Sequence, residues 1–306
     1  MKEIMFSSGR QRVFQPIVFL RALLLGVLLV SASYAADPGA TQFEQGPNKF
    51  WQLKGDSKSF DPNNRHVSFV KKGNSNKSLM IYAHGGGGMG PADVTRARLF
   101  ESFGFDVLSF DAFAMNGVEA LWANRNLSDY TKQELVRKVM VGGIEHTYQV
   151  YENIVLYGQS NGAKVVIAVL NDLSEDKKAK IKVIISEAPA AWGLPLPNEI
   201  KIPIHFFVGS IDNWGGRMGE KDLMWSRFVP PVGSMEDWYK NQVRLGGPVH
   251  LTEYPGAGHS FHAGPVKAVT RKMAGVGTIT GYLGAPPEVL RQYEDDLKKL
   301  VQPFLN

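Results

Sequence analysis

A serine between two glycines, where an apolar strand meets a helix, most constrains how this chain can fold. Residues 153–157 (NIVLY) have the apolar run of a buried strand, and residues 163–170 (AKVVIAVL) read as a helix. The pentapeptide GQSNG at 158–162 joins them. In so tight a turn the serine takes a strained backbone conformation, and side chains at either glycine position would collide with neighbouring backbone. We therefore expect the hydroxyl of Ser160 to stand exposed at the carboxyl end of a sheet.

Strands and helices alternate along the rest of the chain. Further buried-strand patterns stand at 66–70, 79–83, 104–111, 180–186, 202–209 and 249–254. Between and after them, helical patterns stand at 92–103, at 131–151, where TKQE reads as a capping box, and from 286 to the end of the chain. This alternation predicts an α/β fold with one mostly parallel sheet and helices on both faces. With 44% hydrophobic residues, residues 36–306 are expected to form a single domain, with 213–248 as a cap-like insertion.

The first 35 residues have the pattern of a secretory signal peptide. Lys2, Arg10, Arg12 and Arg21 precede the apolar run 22–30, and Ser33-Tyr34-Ala35 supplies the small residues of a cleavage site. The alternative is an uncleaved membrane anchor, but a spanning helix needs about 20 apolar residues and Arg21 interrupts the run. We therefore predict export to the periplasm or the medium, with no stable membrane association after cleavage.

The charge distribution argues against nucleic-acid binding. The leader has four basic residues and one acidic residue, a net charge of +3, so the +5 of the whole chain leaves +2 for residues 36–306. Phosphate binding needs a clustered basic face, which this remainder does not suggest. The chain also has no cysteine, which excludes disulfides, a thiolate nucleophile and a thiolate zinc site.

A glycine-rich loop follows the strand at 79–83. Residues 84–90 read HGGGGMG, and such glycines let backbone N–H groups point at a developing anion with no side chain in the way. A dinucleotide loop would need G-x-G-x-x-G before a helix, and a phosphate loop would need G-K-S/T. Neither pattern is complete, so no cofactor is predicted. His84 is expected to orient the loop, and Asp111, which precedes the serine, to bind local backbone.

Three groups suited to nucleophilic catalysis follow strands in the order Ser160, Asp212, His259. A serine hydroxyl is a weak nucleophile until a neutral imidazole accepts its proton, and a carboxylate on the far ring nitrogen orients that imidazole. Glu187 is the alternative acid, because it also follows a strand after the serine. His262 makes a metal pair with His259 conceivable, but no spaced acidic ligand accompanies it, so no metal is predicted.

At these residues the chain resembles the α/β-hydrolase superfamily, and within it the dienelactone hydrolase-related branch. The most specific segment is 254–261 (YPGAGHSF), and the order of elements matches over about residues 65–306. The resemblance implies Ser160 as nucleophile, Asp212 as acid and His259 as base. It also implies oxyanion donors in the backbone of Asn161 and of the Gly86 and Gly87 region.

The chain departs from that family in two places. Dienelactone hydrolases proper have a cysteine nucleophile where this chain has Ser160, and the four-glycine loop is more similar to lipase-type esterases. The acyl-transfer machinery therefore carries over from the resemblance, whereas the lactone substrate does not.

The sequence thus predicts an exported serine hydrolase that acts on a small-molecule carboxylic ester. A substrate pocket is expected to include His84, Trp192, Trp214 and Trp225. Aromatic residues concentrate within 213–248, where they could form an apolar wall or simply pack an extra helix. Two alternatives remain, a serine peptidase of the same fold and a binding protein that has the fold without catalysis.

Overall fold

A seven-stranded sheet forms the centre of the computed structural model, which describes residues 43–45, 51–53, 59–72, 77–217, 222–227, 233–273 and 277–305. The strands of this sheet are β3 (Val67–Val70), β4 (Ser78–Ala83), β5 (Asp106–Phe110), β6 (Asn153–Gln159), β7 (Ile181–Glu187), β8 (Ile204–Gly209) and β10 (Val249–Tyr254). The remaining strands are β1 (Phe43–Gln45), β2 (Trp51–Leu53), β9 (Gly216–Arg217), β11 (Lys267–Met273) and β12 (Gly277–Leu283). The α-helices are α1 (Pro91–Phe103), α2 (Ala112–Met115), α3 (Ala120–Asn126), α4 (Asp129–Thr147), α5 (Asn161–Ala168), α6 (Glu175–Lys178), α7 (Met235–Arg244) and α8 (Pro287–Val301).

The strand order places the sheet's switch point between β4 and β6. The order is β10-β8-β7-β6-β4-β5-β3, and every neighbouring pair is parallel except β3 with β5. After β4 the chain adds β5 on one side, next to the edge strand β3, and after β6 it adds β7, β8 and β10 on the other side. In open parallel sheets a ligand crevice forms at the carboxyl ends of the strands where the order reverses. The glycine-rich loop leaves β4 at this point, and the turn at Ser160 leaves β6.

Apolar residues cover both faces of the sheet. Because side chains alternate along a strand, Ile81 packs with α4 and α5 residues such as Val139 and Val166, whereas Met80 packs with α1 and α8 residues such as Phe100. All of these side chains are buried. The predicted α/β fold, with helices on both faces of a mostly parallel sheet, is confirmed.

Two local features differ from the sequence-based expectations. Helix α4 begins at Asp129 and not at Thr131, because the hydroxyl of Ser128 accepts the N–H of Thr131 and caps the helix. The hairpin formed by β11 and β12 was not predicted, and it joins β9 in a three-stranded antiparallel sheet. This hairpin supplies residues to the site described below.

The closing helix α8 agrees with its predicted pattern, since Val289, Tyr293, Leu297 and Val301 are its buried residues. Among the helices of the described ranges, none combines the length and apolar character that crossing a bilayer requires. The predicted leader, residues 1–35, lies outside the described residues.

Candidate active site

The turn at Ser160 has the strained geometry expected from its sequence. Ser160 has φ 57° and ψ −117°, a conformation that residues with a side chain rarely adopt. A Cβ on Gly158 would overlap the backbone of Gly162, and a Cβ on Gly162 would overlap the carbonyl of Ala83. Both glycines are therefore needed for β6, α5 and β4 to meet so closely, as predicted.

His259 contacts Asp212, and not Glu187. Its Nδ1 lies 3.0 Å from Oδ2 of Asp212, and both side chains are almost fully buried. Oδ1 of Asp212 accepts the backbone N–H of Trp214 at 3.2 Å, so the carboxylate is held on both oxygens. The unpredicted hairpin holds the histidine in turn, because the N–H of His259 donates to the carbonyl of Tyr282 and its own carbonyl accepts the N–H of Gly284.

The other ring nitrogen of His259 faces Gln159, a residue that the sequence analysis did not single out. Nε2 of His259 lies 3.2 Å from the side-chain nitrogen of Gln159. Within the described part of the chain, the hydroxyl of Ser160 makes no hydrogen bond, although Ser160 and His259 line the same cavity. The amide of Gln159 therefore contacts the ring nitrogen that would have to accept the serine proton.

Glu187 binds a different set of partners on the other face of the sheet. Its carboxylate accepts Nε and Nη2 of Arg96 at 2.8 and 2.6 Å and the hydroxyls of Tyr157 and Tyr293. Burial alone would raise the pKa of Glu187, but the charge of Arg96 and these hydrogen bonds lower it to about 2. Glu187 is fully buried and committed to Arg96, so it is not the acid that orients His259.

The glycine-rich loop borders the cavity beside the serine. Gly85 to Gly88 all line it, and the N–H of Gly88 donates back to the carbonyl of Gly85. Among the described residues, no hydrogen bond uses the N–H groups of Gly86, Gly87 or Asn161. These three groups, which the resemblance implies as oxyanion donors, therefore remain available to a ligand.

A buried polar cluster next to the loop was also missed by the sequence analysis. The side chain of Asn161 donates to Asp129 at 2.8 Å and accepts from Gln133 at 3.0 Å, and Lys132 lies 2.8 Å from Asp129. A Cβ on Gly86 would come within 2.9 Å of the Asn161 amide. The first turn of α4 thus sets the distance between Asn161 and the loop. The signal in the sequence is the polar run at 131–134, which the sequence analysis interprets as a capping box.

The cavity has a volume of about 220 Å³ and aromatic walls. Trp192 and Trp214 line it as predicted, and the ring of Trp214 stacks parallel to His259 with centroids 5.9 Å apart. His84 and Trp225, also predicted for the pocket, do not line it. The ring of His84 is buried, with Nδ1 near the carbonyl of Gly85 and Nε2 accepting the N–H of Ala112, so it supports the loop from behind.

Trp225 packs away from the cavity against Tyr239, and its neighbour Met224 lines the wall instead. The described parts of 213–248 therefore contribute Trp214, Gly215 and Met224 to the site. The unpredicted hairpin contributes Arg271, Ile279 and Leu283.

His262 has no metal-binding arrangement around it. Its Nε2 lies 3.1 Å from Oε1 of Glu294, and burial, with a smaller effect from Arg96, lowers its pKa to about 4. Among the described residues, no group of three histidine or acidic side chains could hold a metal ion.

No protein-family model matches the chain, and no curated protein matches it in sequence. Many solved structures are similar to it. A dienelactone hydrolase from Anabaena variabilis has 14% identity over 82% of this chain and 98% of its own, with a TM-score of 0.49. An arylesterase has 13% identity over 93% of this chain and 98% of its own, with a TM-score of 0.47. A Pyrococcus furiosus esterase has 15% identity over 78% of this chain and 85% of its own, with a TM-score of 0.45.

At these identities and TM-scores, the names of the similar structures do not bear on the activity of this chain. Its fold is argued from its own topology. A mostly parallel sheet reverses its order beside β6, a strained serine turn leaves that strand, and a histidine paired with an aspartate follows later strands. This chain therefore has the α/β-hydrolase fold.

Proposed function

We propose that this protein hydrolyses carboxylic esters through an acyl-enzyme on Ser160. The observation that carries the proposal is the pairing of His259 with Asp212 in the cavity that Ser160 lines from a strained turn. A carboxylate on Nδ1 holds the imidazole with Nε2 free of a proton, which is the form that a general base needs. The three residues come from β6, from the loop after β8 and from the loop after β10.

The proposed reaction begins when an ester places its carbonyl oxygen near the N–H groups of Gly86, Gly87 and Asn161. His259 leaves Gln159 and accepts the proton of the Ser160 hydroxyl as the oxygen attacks the carbonyl carbon. The imidazolium then donates that proton to the departing alcohol. Water attacks the acyl-enzyme by the same route in reverse and releases the acid, which restores the serine.

The cavity favours a small ester. Its volume of about 220 Å³ is below the roughly 300–1,000 Å³ of pockets that enclose drug-sized ligands. Trp192, Trp214 and Met224 supply apolar walls for an acyl or aromatic group. Esters are expected to react far better than amides, because an alkoxide leaves more readily than an amine.

A fluorophosphonate probe and a series of p-nitrophenyl esters of graded chain length test the proposal. The probe should modify Ser160, as mapped by mass spectrometry, and the shorter esters should be the better substrates. Ser160→Ala and His259→Ala should each lower kcat by roughly a millionfold, or about 8 kcal/mol, and the double variant should add little. Ester turnover by Ser160→Ala at the wild-type rate would contradict the proposal. A folded wild type that neither reacts with the probe nor turns over any ester would support the alternative of a binding protein.

We also propose that the protein is exported, on the basis of the pattern in residues 1–35. The mature chain should begin at Ala36 or Asp37. Amino-terminal sequencing of protein from the native host checks this, and an intact Met1 on the accumulated protein would contradict it.

A further inference from the structure

We propose that the buried ion pair between Arg96 and Glu187 positions His259 relative to Ser160, which makes both side chains positioning residues for the reaction. The proposal rests on the proposed function, since that reaction is what the positioning serves. Arg96 and Glu187 are both fully buried, and they form a two-point contact from α1 to the end of β7. Neither side chain lines the cavity, so neither is placed to touch substrate.

Glu187 holds the serine turn by two contacts, of which only the one through its carboxylate belongs to the ion pair. The carbonyl oxygen of Glu187 accepts the backbone N–H of Ser160 at 2.9 Å. Its carboxylate accepts the hydroxyl of Tyr157, which lies three residues before Ser160 in β6, at 2.5 Å. Glu187 therefore binds the nucleophile's own backbone and the strand that leads to it.

The ion pair also holds the loop that carries His259. Oε1 of Glu187 accepts the N–H of Phe261 at 3.1 Å, and Nη2 of Arg96 donates to the hydroxyl of Ser260 at 2.9 Å. Ser260 has φ 57°, in the left-handed region, which residues other than glycine occupy only where their surroundings hold them. Since Ser260 directly follows His259, the contacts that hold its backbone also set where the imidazole stands.

Stability alone gives a poor reason for this arrangement. A buried ion pair is often no more stabilising than apolar side chains of the same volume, because both charges lose their hydration. Apolar side chains, however, could not bind the hydroxyl of Ser260 and the N–H of Phe261 in fixed directions. What the pair of Arg96 and Glu187 adds is orientation of two chain segments that must meet within hydrogen-bond distance during the reaction.

The first test is Ser260→Ala, which removes one contact of Arg96 and leaves the ion pair intact. Because Ser260 also lines the cavity, kcat is read together with a signal that does not depend on substrate. We expect kcat to fall about tenfold, as one hydrogen bond to a charged group implies, with KM and the melting temperature close to the wild-type values. A second readout is the low-field proton NMR signal of the hydrogen bond between His259 and Asp212. We expect it to shift or broaden in Ser260→Ala.

A second variant, Arg96→Met with Glu187→Met, removes the pair without leaving a lone buried charge. We expect it to lower kcat at least as far as Ser260→Ala and to alter the same proton signal. The matched control is Glu134→Met with Arg137→Met. That pair makes the same two contacts, at 2.8 and 2.6 Å, on α4 and binds none of the site residues. It is matched in contact geometry and not in burial, since both side chains are partly exposed and Arg137 also binds Asp172. Its removal should change neither kcat nor the signal.

The proposal is overturned if the proton signal and kcat of Ser260→Ala match those of the wild type. It is equally overturned if the control variant also loses kcat and the proton signal in proportion to its loss of melting temperature. Failure of the proposed function looks different, since the wild type would then neither turn over esters nor react with fluorophosphonate. The proton signal would still decide the positioning role in that case. If the double methionine variant does not fold, Ser260→Ala decides alone.

Discussion

Glu187 is the last residue of β7 and Asp212 follows the neighbouring strand β8, so both reach the same edge of the sheet. Both are buried. Glu187 still belongs to β7, and its side chain points to the face where Arg96 of α1 and Tyr293 of α8 bind it. Asp212 lies beyond β8 on a loop, where His259 and the N–H of Trp214 bind it. The comparison teaches that the partners supplied by other elements decide the role of each acid, although the two have similar places along the chain.

The strongest test of this comparison exchanges each acid for its amide. Asp212→Asn should lower kcat by about ten-thousandfold, or about 5.5 kcal/mol, with the melting temperature kept, because His259 loses the acceptor that orients it. Glu187→Gln should lower kcat far less, by about the tenfold expected for Ser260→Ala. It should also lower the free energy of unfolding by roughly 3–5 kcal/mol, because Arg96 loses its two-point carboxylate partner and is left with the more distant Asp93 at 3.9 Å. Ester kinetics and thermal unfolding of both variants measure this. Wild-type kcat in Asp212→Asn would reverse the assignment.

The pH dependence of stability sharpens the comparison on the Glu187 side. Arg96 and the hydrogen bonds, acting against burial, lower the pKa of Glu187 from 4.5 to about 2. The resulting stability is complete above pH 4.5 and is lost as the pH falls from 4.5 towards 2, by an amount on the order of 3 kcal/mol at most. Urea unfolding of the wild type should show this loss, and Glu187→Gln should lack it. Parallel curves for the two proteins would show that Glu187 does not titrate as proposed.

The next test concerns the glycine-rich loop, which leaves the end of a third strand, β4. It asks whether the site needs this loop in addition to the two acids. Gly86→Leu should lower kcat by about a hundredfold, because its side chain would displace the Asn161 amide that lies 2.9 Å from the Cβ position. Gly87→Ala is the size control, since no atom of the described residues beyond its chain neighbours lies within 4 Å of its Cβ position, and its loss of kcat should be much smaller. Equal losses in the two variants would remove the steric explanation.

The smallest expected effect is at Gln159, which is linked both to Glu187 and to His259. It pairs in register with Glu187, yet its amide faces Nε2 of His259. Gln159→Ala should speed the reaction of Ser160 with fluorophosphonate by about three- to tenfold, since one neutral hydrogen bond that competes for the imidazole is removed. Gln149→Ala, an exposed glutamine away from the site, should react at the wild-type rate. Slower labelling of Gln159→Ala would mean that Gln159 supports the base and does not compete for it.

Much of the fold and part of the site could be predicted from local patterns. The turn at Ser160 was predictable because its glycines and its flanking strand and helix are contiguous in sequence, and the structure has that turn. Asp111 likewise binds local backbone as expected, since it accepts the N–H groups of Phe113 and Ala114 and caps α2. The start of α4 was placed wrongly because Ser128 and Thr131 are both good capping residues, and only the packed helix shows which of them caps it.

The contacts that complete the site could not be predicted in the same way. Gln159 meets His259 across 100 residues of sequence, and Arg96 meets Glu187 across 91. No local period or motif marks such partners, because they depend on how strands β6 and β7, helix α1 and the loop after β10 come together. The contacts between the hairpin of β11 and β12 and the backbone of His259 could not be predicted for the same reason.

The sequence by itself determined the alternation of strands and helices, the strained serine turn and the order in which serine, acid and histidine follow one another. Apolar periodicity and glycine sterics act over a few residues, so they can be read without a structure. Only the tertiary structure decided which of Glu187 and Asp212 contacts His259, because Arg96 binds the first carboxylate and the second lies beside the imidazole. Charge pairing acts through space, and the packing of the sheet and its helices sets which charges are near enough to pair.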